Sequence, residues 1–144
     1  MYIKDKHGLF TEVFRVLKPG GILTAGAWLR SDRPYNDDMY YFILSEGLTY
    51  HLDTLENYGA ILRETGFVDV NLVDIHDEYQ AMVHEEYKQL QTTFSDILLE
   101  TLGEEGRANF IKVWRALVVV VDAGDLRPGR FRARKPQESK RNFK

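Results

Sequence analysis

Residues Phe14-Arg15-Val16-Leu17-Lys18-Pro19-Gly20-Gly21-Ile22-Leu23-Thr24-Ala25-Gly26-Ala27-Trp28 join a helical pattern to an extended one. Upstream, Leu9, Phe10, Val13, Phe14, Val16 and Leu17 recur at the spacing of one helical face, and Asp5 is placed to cap the helix they predict. Lys18-Pro19-Gly20-Gly21 stops it, because proline cannot continue a helix and two glycines permit a tight reversal. Ile22 to Trp28 is short, apolar and rich in small residues, the pattern of a buried strand. A helix, a sharp turn and a buried strand together predict a layered α/β arrangement.

The pattern continues downstream. Leu29 to Asn36 is polar, contains Pro34 and reads as a loop. Asp37 opens a short helix that Gly47 ends. Asp53 and Glu56 form an acid-headed capping box for a helix carrying Leu55, Tyr58, Ile61 and Leu62, which ends at Gly66. Residues 67–75 alternate as a strand, with Val73 and Ile75 out of phase. Residues 77–102 carry a long helical stripe (Tyr79, Met82, Val83, Leu90, Phe94, Ile97, Leu98) that is expected to break at Gly103. Residues 104–123 form another helix, although Leu117 to Val121 has strand propensity. Gly124 and Pro128-Gly129 are turn signals, and Leu126 to Lys135 alternates as a terminal strand. Residues 136–144 look disordered.

The stretch Asp5-Lys6, then Leu9-Phe10, then Phe14 to Leu23, resembles class I S-adenosylmethionine-dependent methyltransferases, in which a Leu-Lys-Pro-Gly-Gly turn feeds the fifth strand. Tyr58-Gly-Ala-Ile-Leu-Arg-Glu-Thr-Gly-Phe67 is similar to the helix and turn before that family's sixth strand, and residues 126–136 to its last, antiparallel strand. Residues 77–123 stand where many small-molecule methyltransferases carry extra helices. Within the class, Asp37-Asp38, Tyr50 and Tyr58 look most similar to phosphoethanolamine and related small-amine N-methyltransferases. The resemblance implies a partial doubly wound, Rossmann-like α/β fold over residues 1–135. Its mixed sheet would have three strands with helices on both faces, in the order first, last, second, with the last antiparallel to the others. The implied cofactor is S-adenosylmethionine and the implied partner a small-molecule methyl acceptor.

The family's first half carries a glycine-rich loop and an acidic residue that hold the cofactor. No Gly-x-Gly-x-Gly occurs here. The only paired glycines, Gly20-Gly21, follow a helix C-terminus, where the dipole disfavours an anion. The chain therefore looks like the C-terminal half of a methyltransferase, beginning mid-domain, with no cofactor-binding residues of its own. Two functions follow as expectations: an acceptor-binding half that is inactive alone, or a non-enzymatic relative used for dimerisation or ligand binding. With no fourth strand beside it, strand 22–28 is expected to be an apolar edge through which copies associate.

Trp28 ends its strand, and ligands in open α/β sheets bind outside the carboxyl ends of strands. It either closes an acceptor pocket, where its face would attract an ammonium, or packs under a loop. Tyr40, Tyr41, Tyr50 and His51 surround the segment that forms a lid in the family, and Glu46 could pair with an amine; tyrosines at helical spacing also serve as core with a wet tip. Arg30 and Arg33 follow Trp28 and could meet a substrate phosphate or carboxylate, or stay solvated. The expected substrate-binding set is Trp28, Tyr41, Tyr50, His51 and Arg30. Tyr2 stands where related sequences often have a catalytic histidine. His76 and His84 are too far apart for a two-ligand clamp, so no metal is expected.

With 144 residues, 44% of them hydrophobic, the chain can bury a core, and the absence of cysteine excludes disulfides and a thiol nucleophile. The longest apolar run, Ala116 to Val121, is too short to span a bilayer, and residues 1–7 lack a signal-peptide core; a cytoplasmic protein is expected. The net charge of −3 conceals an asymmetry. Residues 126–144 hold eight basic residues against one acid, and the rest of the chain 11 against 21. The tail has few interleaved aromatics and adjoins an acidic body, so no nucleic-acid partner is expected.

Overall fold

The last strand, β3 (Leu126–Arg134), forms the centre of the sheet. In the computed structural model, which describes residues 1–137, it lies between β1 (Ile22–Arg30) and β2 (Val68–Asp74) and runs antiparallel to both. The strand order is therefore first, last, second, and β1 and β2 point the same way without touching. The basic tail expected from residue 136 lies, from residue 138 on, outside the described residues.

Five helices surround this sheet. Asp5 caps α1 (Lys6–Val16) by accepting from the Gly8 amide at 2.8 Å. Gly20, at φ 77°, makes the reversal into β1 in a backbone region that costs a side-chain-bearing residue. Asn36 caps α2 (Asp37–Glu46) through the Met39 amide. The capping box expected at Asp53 and Glu56 is displaced by one residue. Thr54 is the cap of α3 (Leu55–Thr65), accepting from Asn57 N, and Asp53 supports it by accepting from Asn57 Nδ2 at 2.6 Å. Glu56 is thus second in the helix, and a reciprocal bond to the cap amide needs the third position.

The long helix expected over 77–102 is two helices, α4 (His76–Gln91) and α5 (Ser95–Asp122). The chain leaves helical geometry at Thr92, and Gln89 O accepts from both Thr92 N and Phe94 N. Two adjacent β-branched threonines are weak helix formers at that point. Gly103, at φ 71° and ψ 178°, leaves helical geometry inside α5, so two helical segments meet there at the expected break. The Leu117–Val121 run is helical because packing overrides its strand propensity: Val118, Val120 and Val121 are buried.

Two hydrophobic cores result. Helices α1 and α3 cover one sheet face, where Phe10, Tyr58 and Phe131 meet at ring centroid distances of 5.2–5.9 Å above Leu29 and Ala133. Each such aromatic pair contributes about 0.5–1.5 kcal/mol beyond its buried area. The second core joins α2, α4 and α5 through Met39, Phe42, Val83 and Val120, and reaches the opposite sheet face only at Trp28 and Leu126. Helices thus lie on both faces, unevenly. The rest of that second face, where Thr24 and Asn71 stand opposite Arg132, and Gly26 and Val73 opposite Arg130, is exposed. No strand pairs with the outer edge of β1 among the described residues.

Candidate functional site

The second core does not close completely. Between α2, α4, α5 and the carboxyl end of β1 it leaves a cavity of about 390 Å³. Trp28 enters it because β1 alternates: Ala27 and Leu29 face α1 and α3, so Trp28 faces the other way. Its ring meets Tyr79 of α4 edge-on at 4.8 Å. Phe42 and Glu46 come from α2, one turn apart on one side of the helix, and Tyr50 and Leu52 from the segment that follows. Helix α5 contributes Phe110, Val113, Trp114 and Leu117, its face toward the sheet end. Met1 and Tyr2 complete the rim, Tyr2 tilted against Tyr50 at 5.7 Å.

The polar chemistry of this cavity is sparse and directional. Tyr50 Oη donates to Glu46 Oε2 at 3.2 Å, and its ring stacks on Phe42 at 6.4 Å. Burial, and then the Glu46 charge, push the Tyr50 phenol well above its ordinary range. Burial first, and then Glu86, push Tyr79 up to about 12. Both phenols therefore stay neutral donors at physiological pH. The Met1 α-amino group is held below its ordinary value by burial and by the nearby Lys6. Lys6 itself is tied to backbone, donating to His51 O at 2.6 Å.

The structure brings Trp28 and Tyr50 of the expected substrate-binding set together in this cavity. It places the other three elsewhere. Tyr41 lies on the far flank of α2, under Lys112 Nζ at 5.7 Å, beside a separate hollow with Arg115 and Asp38. His51 uses its backbone, donating to Met1 O and accepting from Lys6. Arg30 donates to Ser31 O and faces a polar hollow with Asp74 and Arg127. Arg33 pairs with the buried Asp125 at 2.7 Å. Tyr79, Trp114 and Phe42 carry much of the wall. Their signal in the sequence was an apolar helical stripe, which reads the same for a core.

His84 pairs with Asp122 at 2.8 Å, and Gln80 donates to the same oxygen. Among the described residues no helix is long and apolar enough to cross a membrane.

The chain as a whole is similar to known proteins. Over 131 residues the chain is 30% identical to the phosphoethanolamine N-methyltransferase of Triticum aestivum, which covers 91% of this chain and 25% of that protein. It is 29% identical to phosphoethanolamine N-methyltransferase 1 of Zea mays over 135 residues, 94% of this chain and 26% of that one. Its homologues are phosphoethanolamine N-methyltransferases. The chain spans about a quarter of the length of these curated relatives. No family model matches it.

Among solved structures, phosphoethanolamine N-methyltransferase 2 of Haemonchus contortus, in complex with phosphomonomethylethanolamine and S-adenosylhomocysteine, superimposes with a TM-score of 0.85. The identity is 21%, and the match covers 94% of this chain and 31% of that one. The cyclopropane synthase MmaA2 from Mycobacterium tuberculosis gives 0.74 at 17% identity, over 92% of this chain and 50% of that one. The fold is the corresponding part of a Rossmann-like methyltransferase fold.

Proposed function

We propose that this chain is the acceptor-binding half of a small-molecule S-adenosylmethionine-dependent methyltransferase and that it does not turn over alone. The observation that carries the reading is the aromatic cavity at the carboxyl end of β1, with the carboxylate of Glu46 in its wall. The sheet rule places substrate at that position. A secondary or tertiary amine needs little more than orientation and a neutral lone pair to accept a methyl group, and rigid rings supply orientation. Trp28 and Tyr79 would form the floor, and Glu46 would hold the ammonium form on entry.

The residues present do not fit the cofactor. A nucleotide-like ligand needs glycines that open a helix directly after a strand. Every glycine with positive φ (Gly20, Gly47, Gly66, Gly103, Gly124) instead follows a helix or interrupts one. A radiolabelled methyl-transfer assay with an amine acceptor tests this. The chain alone should give no product, and adding the separately produced cofactor-binding portion of a homologue should restore it. Turnover by the chain alone would overturn the proposal.

The open edge of β1, with Ile22 exposed, favours a second reading, a non-enzymatic domain that dimerises through that edge. Light scattering at high concentration separates the two: a stable dimer with no restored transfer favours the second, and a monomer that is restored favours the first.

A further inference from the structure

The homologues are named for a phosphorylated amine. We infer that the cavity beside Trp28 instead takes an organic ammonium that carries no phosphate or carboxylate. The inference rests on the acceptor reading above and narrows it to a substrate class.

Among the described residues lining the cavity, Glu46 is the one charged side chain, and there is no Arg, Lys or His. A phosphate dianion out of water requires charge-assisted donors, most often arginine. Here the Glu46 carboxylate and the faces of aromatic rings would repel it, and the donors in the lining are the phenols of Tyr2, Tyr50 and Tyr79 and the Met1 α-amino group at the rim, with no guanidinium or lysine ammonium to neutralise a dianion. The basic side chains near the site are engaged elsewhere. Lys112 and Arg115 lie on the opposite flank of α5 from Val113, Trp114 and Leu117. Arg33 is paired with Asp125, and Arg127 with Asp74 at 2.8 Å.

The same features suit a cation. Aromatic faces attract an alkylated ammonium through their quadrupoles, and the attraction grows when water is excluded. Trp28 and Tyr79 are half-buried, Phe42 is 5% exposed, and Glu46 is half-buried with one oxygen bonded to Tyr50. Its other oxygen is free of a protein partner among the described residues, so the carboxylate can meet an ammonium without breaking the Tyr50 contact. A volume of about 390 Å³ lies in the range of small-ligand sites and leaves room for apolar substituents on the nitrogen.

Three probes built on one scaffold decide the matter, each titrated into the full chain while Trp28 and Trp114 fluorescence is read. Choline carries the cation alone, 3,3-dimethyl-1-butanol is its neutral isostere, and phosphocholine adds a phosphate to the cation. Choline should bind about tenfold or more tightly than the isostere, and phosphocholine no more tightly than the isostere. Glu46→Gln should bring choline to within about threefold of the isostere, with an unchanged circular dichroism spectrum; Trp28→Phe, which keeps a ring, should weaken choline less. Phosphocholine binding as tightly as choline would overturn the inference and leave the acceptor reading intact. Equal binding of choline and the isostere would do the same. No saturable response to any probe would overturn both.

Discussion

Tyr50 Oη and Glu46 Oε2 lie 3.2 Å apart, joining the end of α2 to the segment that follows Gly47. The bond fixes the carboxylate on the cavity side and leaves the Tyr50 ring free to stack on Phe42. Tyr50→Phe keeps the ring and loses the donor. It should cost about 0.5–1.5 kcal/mol in urea unfolding, the net value of one hydrogen bond. Tyr50→Ala should cost more and should also abolish the choline response.

Burial raises the phenols of Tyr35, Tyr50, Tyr58 and Tyr79. In the unfolded chain they ionise near the ordinary value of 10.0. Above that pH the unfolded state holds fewer protons than the folded one, so stability is full below it and falls as pH rises toward 12. Absorbance at 295 nm should show a fraction of the eight tyrosines resisting ionisation until unfolding. A single transition of all of them near pH 10 would contradict the burial.

Asp125, 4% exposed, pins the 31–36 loop to the start of β3: it accepts from Asn36 Nδ2 and Arg33 at 2.7 Å and from Ser31 Oγ at 3.3 Å. Asp125→Ala leaves Asn36 and Ser31 without their acceptor and should cost about 1–3 kcal/mol. Arg33 is more than half exposed, so Arg33→Ala should cost under about 1 kcal/mol. Urea midpoints of the two variants check the ranking.

The two cores should respond separately. Met39 is fully buried between α2 and its neighbours, and Met39→Ala should cost about 2–5 kcal/mol. Leu44, on the same helix and 78% exposed, should change stability by under about 0.5 kcal/mol. Hydrogen exchange on Met39→Ala should accelerate in α2, α4 and α5 before α1 and α3.

Where local chemistry alone sets the backbone, the sequence was readable. Lys18-Pro19-Gly20-Gly21 admits one outcome, a helix stop followed by a turn, and β1 begins where it must. The one-residue displacement of the α3 cap arose because Asp53 and Thr54 are both good caps, and the winner depends on the bond from Arg30 N to Asp53 O across the fold. In β2 a bulge at Asp69, with φ 52°, lets Phe67 and Val70 face the same core although they are an odd number of positions apart. Simple alternation put them on opposite faces.

Trp28 and Tyr50 both line the cavity: Trp28 is singled out by its place near the end of a strand, and Tyr50 by the family resemblance. Tyr41 lies outside this cavity because it sits next to Phe42, about 100° around α2, and of the two Phe42 faces it. Tyr79 and Trp114 were hidden because a cavity wall and a packed core present the same helical stripe. Only the incomplete closure of α4 and α5 over β1 distinguishes them.

The central claim is that this chain carries an acceptor site without a cofactor site. Calorimetry of the chain against two ligands in turn tests it most directly. The account predicts saturable binding of choline and no measurable heat with S-adenosylmethionine. Clear one-to-one binding of S-adenosylmethionine, with none of choline, would contradict it.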